Sequence, residues 1–327
     1  MSASTCQAPL IVTIGHRFPN ADVEAAAAQP YGVEVRSHGS LAKDDALDAA
    51  AHADAVILGL GFDLDEAALS KLKASRVIVR YGIGLDNVDV EAAIARGISV
   101  FNVPDYGVEE VANHTLALLL ALARRLTVLA DRVRTGKWAD ALAQLGLNRL
   151  STSSLLVVGA GRIGGAVVDR AAAIWGRIDV YDPVAPHAPW IHENTNWVDD
   201  LDTALSQADF VTLHAPLTPD TRHLLSRARI ASLKPGVIVV NCSRGDLIDE
   251  TALLDALRTG AIAAAGLDVF ATEPEPNPEL LALPNVLPTP HSAWYSREAV
   301  IDLRQKAARL AARAIRGEEG PHQPKTP

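Results

Sequence analysis

The chain has 327 residues, of which 49% are hydrophobic and 21% charged, and its formal net charge is −9 at pH 7. This length suggests two domains, and the composition is that of an ordinary folded protein, which excludes disorder. The negative charge argues against a nucleic-acid-binding surface. The apolar stretch 115–123 is too short to span a membrane, which needs about 20 residues, so no membrane segment is predicted.

Cysteine usage indicates a reducing compartment. Cys6 and Cys242 are the two cysteines, too few for a disulfide framework, and we therefore predict a cytoplasmic location. Cys242 is interpreted as a small buried apolar residue rather than a nucleophile. No metal site is predicted.

The first hundred residues alternate short apolar runs with Ala-rich segments of helical periodicity. Several helical segments open on an Asp, a residue that caps helix N-termini well. Such alternation predicts a parallel sheet covered by helices on both faces. The predicted strands are 10–14, 33–36, 55–58, 77–80 and 99–102, and the predicted helices are 22–29, 43–51, 65–73 and 89–96.

A second alternating series follows one long predicted helix over 107–136, and it ends at a Pro-rich segment, 284–290, and a final helix over 296–316. We therefore predict an α/β protein with two doubly wound parallel-sheet domains, Rossmann- or flavodoxin-like, and a cleft between them as the ligand site. One domain comprises 1–104 and 289–327, and the other 105–288. The strands of the second series are predicted at 155–158, 178–181, 210–213, 237–241 and 264–268.

A glycine motif stands between a predicted strand and a predicted helix, and consists of Gly159, Gly161 and Gly164 with Arg162 and Ile163 between the last two. The first glycine permits a tight turn, the second lets a pyrophosphate approach the backbone, and the third allows close helix–strand packing. The following helix N-terminus offers N–H donors to the phosphates. The motif alone is weak evidence, but its strand–turn–helix setting predicts a dinucleotide site.

Asp182 ends the next strand about 20 residues further on, where a ribose 2′-hydroxyl would lie. A carboxylate there accepts a bond from the hydroxyl and repels a 2′-phosphate, which favours NAD over NADP. The alternative is that Asp182 only caps a turn with Pro183.

Three chemically active side chains follow the glycine motif in chain order. Arg244 and Glu273 lie just after predicted strands, where ligands bind in open parallel sheets, and His291 follows the Pro-rich segment 284–290. The Arg could bind a carboxylate, and a His after a Glu is a candidate base. The alternatives are a surface Arg paired with Asp246 or Asp249, and a packed or solvent-facing His.

With these residues in place, the chain resembles the D-isomer-specific 2-hydroxyacid dehydrogenases over nearly its full length. That family includes phosphoglycerate dehydrogenases, hydroxypyruvate and glyoxylate reductases, D-lactate dehydrogenases and the C-terminal binding proteins. Besides the glycine motif, the segments that carry the resemblance are 80–89, 102–111, 213–218, 241–245, 266–274 and 290–296.

The resemblance implies a role for each site residue. His291 would transfer the proton. Glu273 would hydrogen-bond to His291, which favours the imidazolium form and fixes the orientation of the ring. Arg244 would bind the substrate carboxylate and polarise the carbonyl. Asp268 would accept a bond from the nicotinamide carboxamide. Further cofactor contacts are implied for His214, Pro216, Thr221, Cys242 and Ser243, and substrate contacts for Arg80, Tyr81, Gly82, Ile83 and Trp294. The helix from residue 107 resembles the family's dimerisation element, so a homodimer is expected.

The run 292–296, Ser-Ala-Trp-Tyr-Ser, resembles the C-terminal binding protein branch, as does Arg80. Trp294 is expected either to line the substrate pocket or to pack a domain interface. The predicted function is NAD(H)-dependent interconversion of a 2-oxo acid and a D-2-hydroxy acid. The alternative is an NAD(H)-sensing dimeric binding protein like the co-repressors of that branch, and a third possibility is an unrelated NAD enzyme on the same fold.

Overall fold

The computed structural model of the protein describes residues 8–138, 146–185 and 192–319. The chain forms two compact units, one from the residues up to 107 together with those from 296 onward, the other from residues 108–295. The sequence prediction placed these limits at 104 and 289. Cys6 lies outside the described residues. Within the described part of the chain, no helix combines the length and apolar character needed to cross a bilayer.

The described elements alternate along the chain as the sequence predicted. The strands are β1 (Leu10–Ile14), β2 (Glu34–His38), β3 (Ala55–Leu58), β4 (Val77–Arg80), β5 (Ser99–Phe101), β6 (Ser154–Val158), β7 (Arg177–Tyr181), β8 (Thr195–Trp197), β9 (Phe210–Leu213), β10 (Val237–Asn241), β11 (Ile262–Leu267) and β12 (Val286–Pro288). The helices are α1 (Asp22–Ala28), α2 (Lys43–Ala50), α3 (Glu66–Lys71), α4 (Val90–Ala95), α5 (Val108–Ala123), α6 (Leu126–Arg134), α7 (Arg162–Ala171), α8 (Leu201–Gln207), α9 (Arg227–Ser232), α10 (Glu250–Thr259), α11 (Pro278–Leu281) and α12 (Arg297–Ile315).

The first unit contains a five-stranded parallel sheet in the order β2-β1-β3-β4-β5, the flavodoxin-like order. Strands β3 and β4 are buried along their whole length, because helices cover both faces. Helix α12 returns from the end of the chain to pack on α1, β3 and β4. Two of the predicted Asp caps are present, since Asp65 and Asp89 accept hydrogen bonds from Ala68 N and Ala92 N. Asp22 instead lies within the first turn of α1, which has no side-chain cap.

The second unit contains a seven-stranded parallel sheet in the order β12-β11-β10-β9-β6-β7-β8. Its first six strands in chain order follow the Rossmann order 3-2-1-4-5-6, and β12 adds one edge strand. Helices α5 and α7 pack on one face with Trp175, and α8, α9 and α10 pack on the other. The predicted fold class, two doubly wound parallel-sheet domains, is confirmed.

Two details of the prediction were wrong. The helix predicted over 107–136 is two helices, because Arg125 takes a left-handed conformation (φ 48°) between α5 and α6. The break falls where burial ends: α5 is buried to Ala123, whereas no residue of α6 is buried. The segment 284–290, predicted as a crossing, contains strand β12, whose Pro288 is tolerated because it lies at the sheet edge. Strand β8 was not predicted, because three residues carry too little periodic signal.

Candidate active site

The glycine motif forms the turn between β6 and α7. Gly159 has φ 98°, which favours glycine, and a Cβ there would lie 2.6 Å from the carbonyl carbon of His214. A Cβ on Gly164 would overlap the carbonyl oxygen of Gly159, so this helix can approach its strand only through glycine. The turn lies at the switch point between β6 and β9, where open α/β sheets bind ligands.

Gly161 leaves the space that a dinucleotide needs. A Cβ added to Gly161 would meet no atom within 4 Å, and Gly161 caps α7 without a side-chain hydrogen bond. The first N–H groups of a ten-residue helix, which begins with Arg162 and Ile163, are therefore available to an anion. These features fit the pyrophosphate of a dinucleotide.

The carboxylate of Asp182 is hydrogen-bonded both to the glycine turn and to the turn that follows Asp182 itself. One carboxylate oxygen accepts a hydrogen bond from Ala160 N at 2.8 Å, and the other accepts from Val184 N and Ala185 N at 2.8 and 2.9 Å. The sequence indicated the second contact as a turn cap but gave no sign of the first. The carboxylate is thus fixed beside the glycine motif, at the carboxyl end of β7.

The residues predicted to flank the cofactor lie after β9 and β10. Burial lowers the pKa of His214 to about 4, so its ring is neutral near pH 7, and Thr212 Oγ1 lies 3.0 Å from its Nε2. Burial likewise raises the pKa of the Cys242 thiol to about 12, which agrees with an unreactive small side chain. Thr221 donates to the carbonyl oxygen of Pro216 at 2.6 Å, and Ser243 donates to that of Leu213 at 3.1 Å.

His291 and Glu273 form a direct pair. The distance from His291 Nδ1 to Glu273 Oε2 is 2.7 Å, and Glu273 Oε1 accepts a hydrogen bond from Phe270 N at 3.0 Å. An ionised carboxylate only accepts hydrogen bonds, so the proton of this pair resides on Nδ1, and Nε2 is the ring atom that can exchange a proton. His291 has φ 51°, a conformation that costs a non-glycine residue about 1–3 kcal/mol.

The surroundings of Glu273 favour its charged form. Burial is the largest single influence and raises the pKa of Glu273. The hydrogen bond and charge of His291, the Phe270 N–H and the charge of Arg244 together outweigh it, so the pKa lies below the ordinary value. A carboxylate that stays ionised beside an imidazole stabilises the imidazolium in return.

The turn that carries Arg244 packs closely against the loop that carries Glu273. A Cβ on Gly245 would overlap the backbone of Phe270 and Ala271, so only glycine permits this approach. Asn241 Nδ2 donates to the carbonyl oxygen of Arg244 at 2.8 Å, and Arg244 Nη1 donates to that of Ser243 at 2.7 Å. The structure thereby brings all three predicted catalytic residues to neighbouring loops of one sheet. The sequence indicated a glycine turn at Gly245 after the strand, but it did not predict the packing of that turn against Phe270.

Asp268 is 1% exposed, and both its oxygens are hydrogen-bonded within the second unit. It accepts from Thr289 Oγ1 at 2.6 Å and from the N–H groups of Ser292 and Ala293 at 2.9 Å each. Asp268 was predicted from the family resemblance to contact the cofactor, whereas nothing in the sequence indicated a role for Thr289. In the structure Asp268 fixes the loop that surrounds His291.

Trp294 is partly buried and packs against the core of the second unit. Its indole Nε1 donates a hydrogen bond to the carbonyl oxygen of His291 at 3.0 Å. The neighbouring Tyr295 ring stands edge-on to it, with ring centroids 5.7 Å apart. Trp294 therefore contacts the backbone of the His291 loop, whichever of its two predicted roles it has.

The loop predicted to bind the substrate carboxylate begins at the end of β4 in the first unit. Arg80 is buried and donates from Nη1 to the carbonyl oxygen of Tyr81 at 2.7 Å, against Gly82. Tyr81 donates from its hydroxyl to buried Glu24 at 2.6 Å. The N–H groups of Tyr81 and Gly82 donate to Leu58 O and Arg80 O. Ile83, whose carbonyl accepts from Asn102 Nδ2, is partly exposed.

Comparison with known proteins identifies the family. The family model "D-isomer specific 2-hydroxyacid dehydrogenase, NAD binding domain" matches residues 116–293, and the chain belongs to this family. It is 40% identical over 285 residues to a D-3-phosphoglycerate dehydrogenase of Methanocaldococcus jannaschii, covering 87% of this chain and 54% of that protein. It is also 38% identical to a hydroxypyruvate reductase of Thermotoga maritima, covering 79% of this chain and 84% of that protein.

A solved structure agrees with both the fold and the cofactor. The D-lactate dehydrogenase of Aquifex aeolicus, complexed with NAD and lactic acid, aligns with a TM-score of 0.81 at 26% identity over 94% of this chain and 96% of that one. The present chain spans about half the length of the phosphoglycerate dehydrogenase that it matches. The cofactor is NAD, which the family's NAD-binding domain holds.

Proposed function

We propose that this protein is an NAD(H)-dependent oxidoreductase that interconverts a 2-oxo acid and a D-2-hydroxy acid. The observation that carries the proposal is the 2.7 Å pair of His291 and Glu273, packed against the Arg244 turn in the family's NAD-binding domain. The relatives named above as a hydroxypyruvate reductase and a phosphoglycerate dehydrogenase support this reaction class.

NADH, held at the glycine turn, would supply the hydride for C2 of the oxo acid. His291 donates the matching proton from Nε2 to the carbonyl oxygen, and takes it back in the oxidation direction. Glu273 keeps the imidazolium charged and its ring oriented. Arg244 binds the carboxylate and polarises the carbonyl, because its planar fork matches two oxygens at once. The balance is one 2-oxo acid, one NADH and one proton consumed for each 2-hydroxy acid and NAD⁺ formed.

Residues outside the catalytic set would bind the substrate and the cofactor. The loop that includes Tyr81, Gly82 and Ile83 would bind the same carboxylate, and its partly exposed residues begin at Ile83. Asp268 would accept a bond from the nicotinamide carboxamide. Trp294 would limit the substrate side chain. We further propose a cytoplasmic homodimer that uses α6, where Leu126 and Val133 are 53% and 46% exposed.

Initial rates of NADH oxidation at 340 nm test the reaction class. The panel of substrates is glyoxylate, hydroxypyruvate, 3-phosphohydroxypyruvate, pyruvate, phenylpyruvate and 4-methylthio-2-oxobutyrate. We expect fast turnover of at least one of them. If NADH binds, as measured by its fluorescence, but none is reduced, the enzyme assignment to these acids fails and the NAD(H)-sensing alternative is favoured.

Replacing Asp182 with Asn is expected to lower the ratio of kcat/KM for NADH over NADPH by about tenfold, or about 1.4 kcal/mol. The amide keeps the size of the side chain and one acceptor oxygen, but it removes the charge that repels a 2′-phosphate. Steady-state kinetics with both cofactors measure the ratio. Loss of the hydrogen bond from Ala160 N should weaken the binding of NADH and NADPH equally. An equal fall for both, with the ratio unchanged, would leave Asp182 only a structural role in the turns.

Replacing Glu273 with Gln is expected to make the protein lose reductase activity at a lower pH than the wild type. In reduction His291 must enter protonated, and a neutral amide stabilises the imidazolium less than the carboxylate, which the lowered pKa of Glu273 keeps ionised. The measurement is kcat/KM for the oxo acid between pH 5 and 10, and an unmoved or raised midpoint would contradict the assigned role.

A further inference from the structure

The buried carboxylate of Asp268 holds the loop that carries His291 on both sides of that residue. Asp268 accepts hydrogen bonds from Thr289 on one side of His291 and from Ser292 and Ala293 on the other. The backbone N–H of His291 donates to the carbonyl oxygen of Asp268 at 2.8 Å. The left-handed conformation of His291 is therefore imposed by bonds to Asp268 from both sides of the loop.

A second histidine reaches this loop from α5. His114 Nε2 lies 3.0 Å from Thr289 Oγ1 and 3.8 Å from Asp268 Oδ1. The Thr289 hydroxyl has one proton, which it donates to Asp268 at 2.6 Å. Its oxygen must then accept from the imidazole, so His114 carries a proton on Nε2. The bonds run in one direction, from His114 through Thr289 to Asp268.

We propose that His114 is a positioning residue for proton transfer, which fixes His291 through Thr289 and Asp268. The inference rests on the proposed function, in which His291 moves the proton. The His114 bond orients the Thr289 hydroxyl toward Asp268, and Asp268 in turn holds both sides of the His291 loop. The position of an acid–base group strongly affects catalysis, since displacing the group by about 1 Å can lower the rate of the reaction about a hundredfold. His114 thus contributes to turnover without contacting the substrate.

Paired substitutions separate the hydrogen bond from the bulk of the side chains. His114→Leu and Thr289→Val remove the donor and the hydroxyl while filling similar space, whereas His114→Gln and Thr289→Ser keep them. We expect the first pair to lower kcat by about tenfold or more, with the Kd of NADH changed less than about threefold. The second pair should restore kcat to within about threefold of the wild type. His52→Leu, at an exposed histidine of the first unit, is the matched control.

Two outcomes overturn the inference. One is wild-type kcat in His114→Leu, and the other is a kcat in His114→Gln as low as in the leucine variant, which would assign the effect to packing of the ring. Circular dichroism and Tm identify any variant that has failed to fold. If a His114 variant fails to fold, the kcat values of Thr289→Val and Thr289→Ser test the inference instead.

A second readout is independent of turnover and distinguishes this inference from the proposed function. The Nδ1 proton of His291, bound to Glu273, should give a downfield NMR resonance that is lost in His291→Gln. We expect that resonance to weaken through faster solvent exchange in His114→Leu and to return in His114→Gln. An unchanged resonance in His114→Leu would contradict the coupling even if the protein reduced no oxo acid. Conversely, suppose that the wild-type protein shows the resonance but reduces no oxo acid, and that the resonance is lost in His114→Leu and returns in His114→Gln. That result would refute only the proposed function.

Discussion

Replacing His291 with Asn is expected to lower kcat for oxo-acid reduction by about a thousandfold, within the range of removing a general acid. Asn is the substitution to use, because it tolerates the left-handed conformation that His291 adopts at φ 51°. An amide cannot donate a proton as an acid, so the hydride step would depend on water. The affinity for NADH, measured by fluorescence titration, should change less than about threefold, since the glycine turn lies on other strands.

The control for this experiment is His52→Asn, at an exposed histidine in the first unit, which should leave kcat unchanged. Retention of more than about a tenth of wild-type kcat by the His291 variant would show that another group supplies the proton. A loss of NADH binding with a lowered Tm would instead report damage to the loop.

Replacing Arg244 with Ala is expected to lower kcat/KM for the oxo acid by about a thousandfold, because the carboxylate loses a bidentate, charged partner and the carbonyl loses its polarising group. Arg244→Lys should recover only part of this loss, since an ammonium cannot reproduce the planar fork. The turn itself should persist, because Asn241 holds the backbone carbonyl of residue 244 and Gly245 packs on the Phe270 carbonyl. Steady-state kinetics with saturating NADH measure the effect.

Arg222 offers a neighbouring control. It pairs with Asp246 at 2.6 Å on the surface, so Arg222→Ala should leave kcat/KM nearly unchanged. The alternative considered from the sequence was a surface pair of Arg244 with Asp246 or Asp249. In the structure Asp246 pairs with Arg222, and Asp249 caps α10 through Ala252 N. Full activity in Arg244→Ala would contradict the proposed role of Arg244 in binding the substrate carboxylate.

The parts of the site that could be predicted from the sequence are those set by local pattern. The strand, glycine turn and helix around Gly159 are contiguous, so their spacing alone defined the turn. Arg244 and Glu273 follow buried strands, and parallel strands place their carboxyl ends at one edge of the sheet. That rule explains why residues distant in sequence were expected at one site.

What could not be predicted depends on contacts between distant segments. His114 and Thr289 are 175 residues apart, and neither belongs to a periodic pattern that would reveal their 3.0 Å contact. The approach of Gly245 to Phe270 is likewise a packing property of two loops. Arg125 shows a different limit: the periodicity continues through it, yet the helix breaks because α6 no longer has a buried face.

The most direct test of the proposed reaction follows the hydride into its product. The protein is supplied with the best 2-oxo acid of the panel and NADH deuterated at the transferring position of nicotinamide C4, and the product is analysed by chiral chromatography with mass spectrometry. We predict one deuterium at C2 of the D-2-hydroxy acid for each NADH oxidised. A product without deuterium at C2, or one of L or mixed configuration, would contradict the assignment of this protein as a D-2-hydroxyacid dehydrogenase.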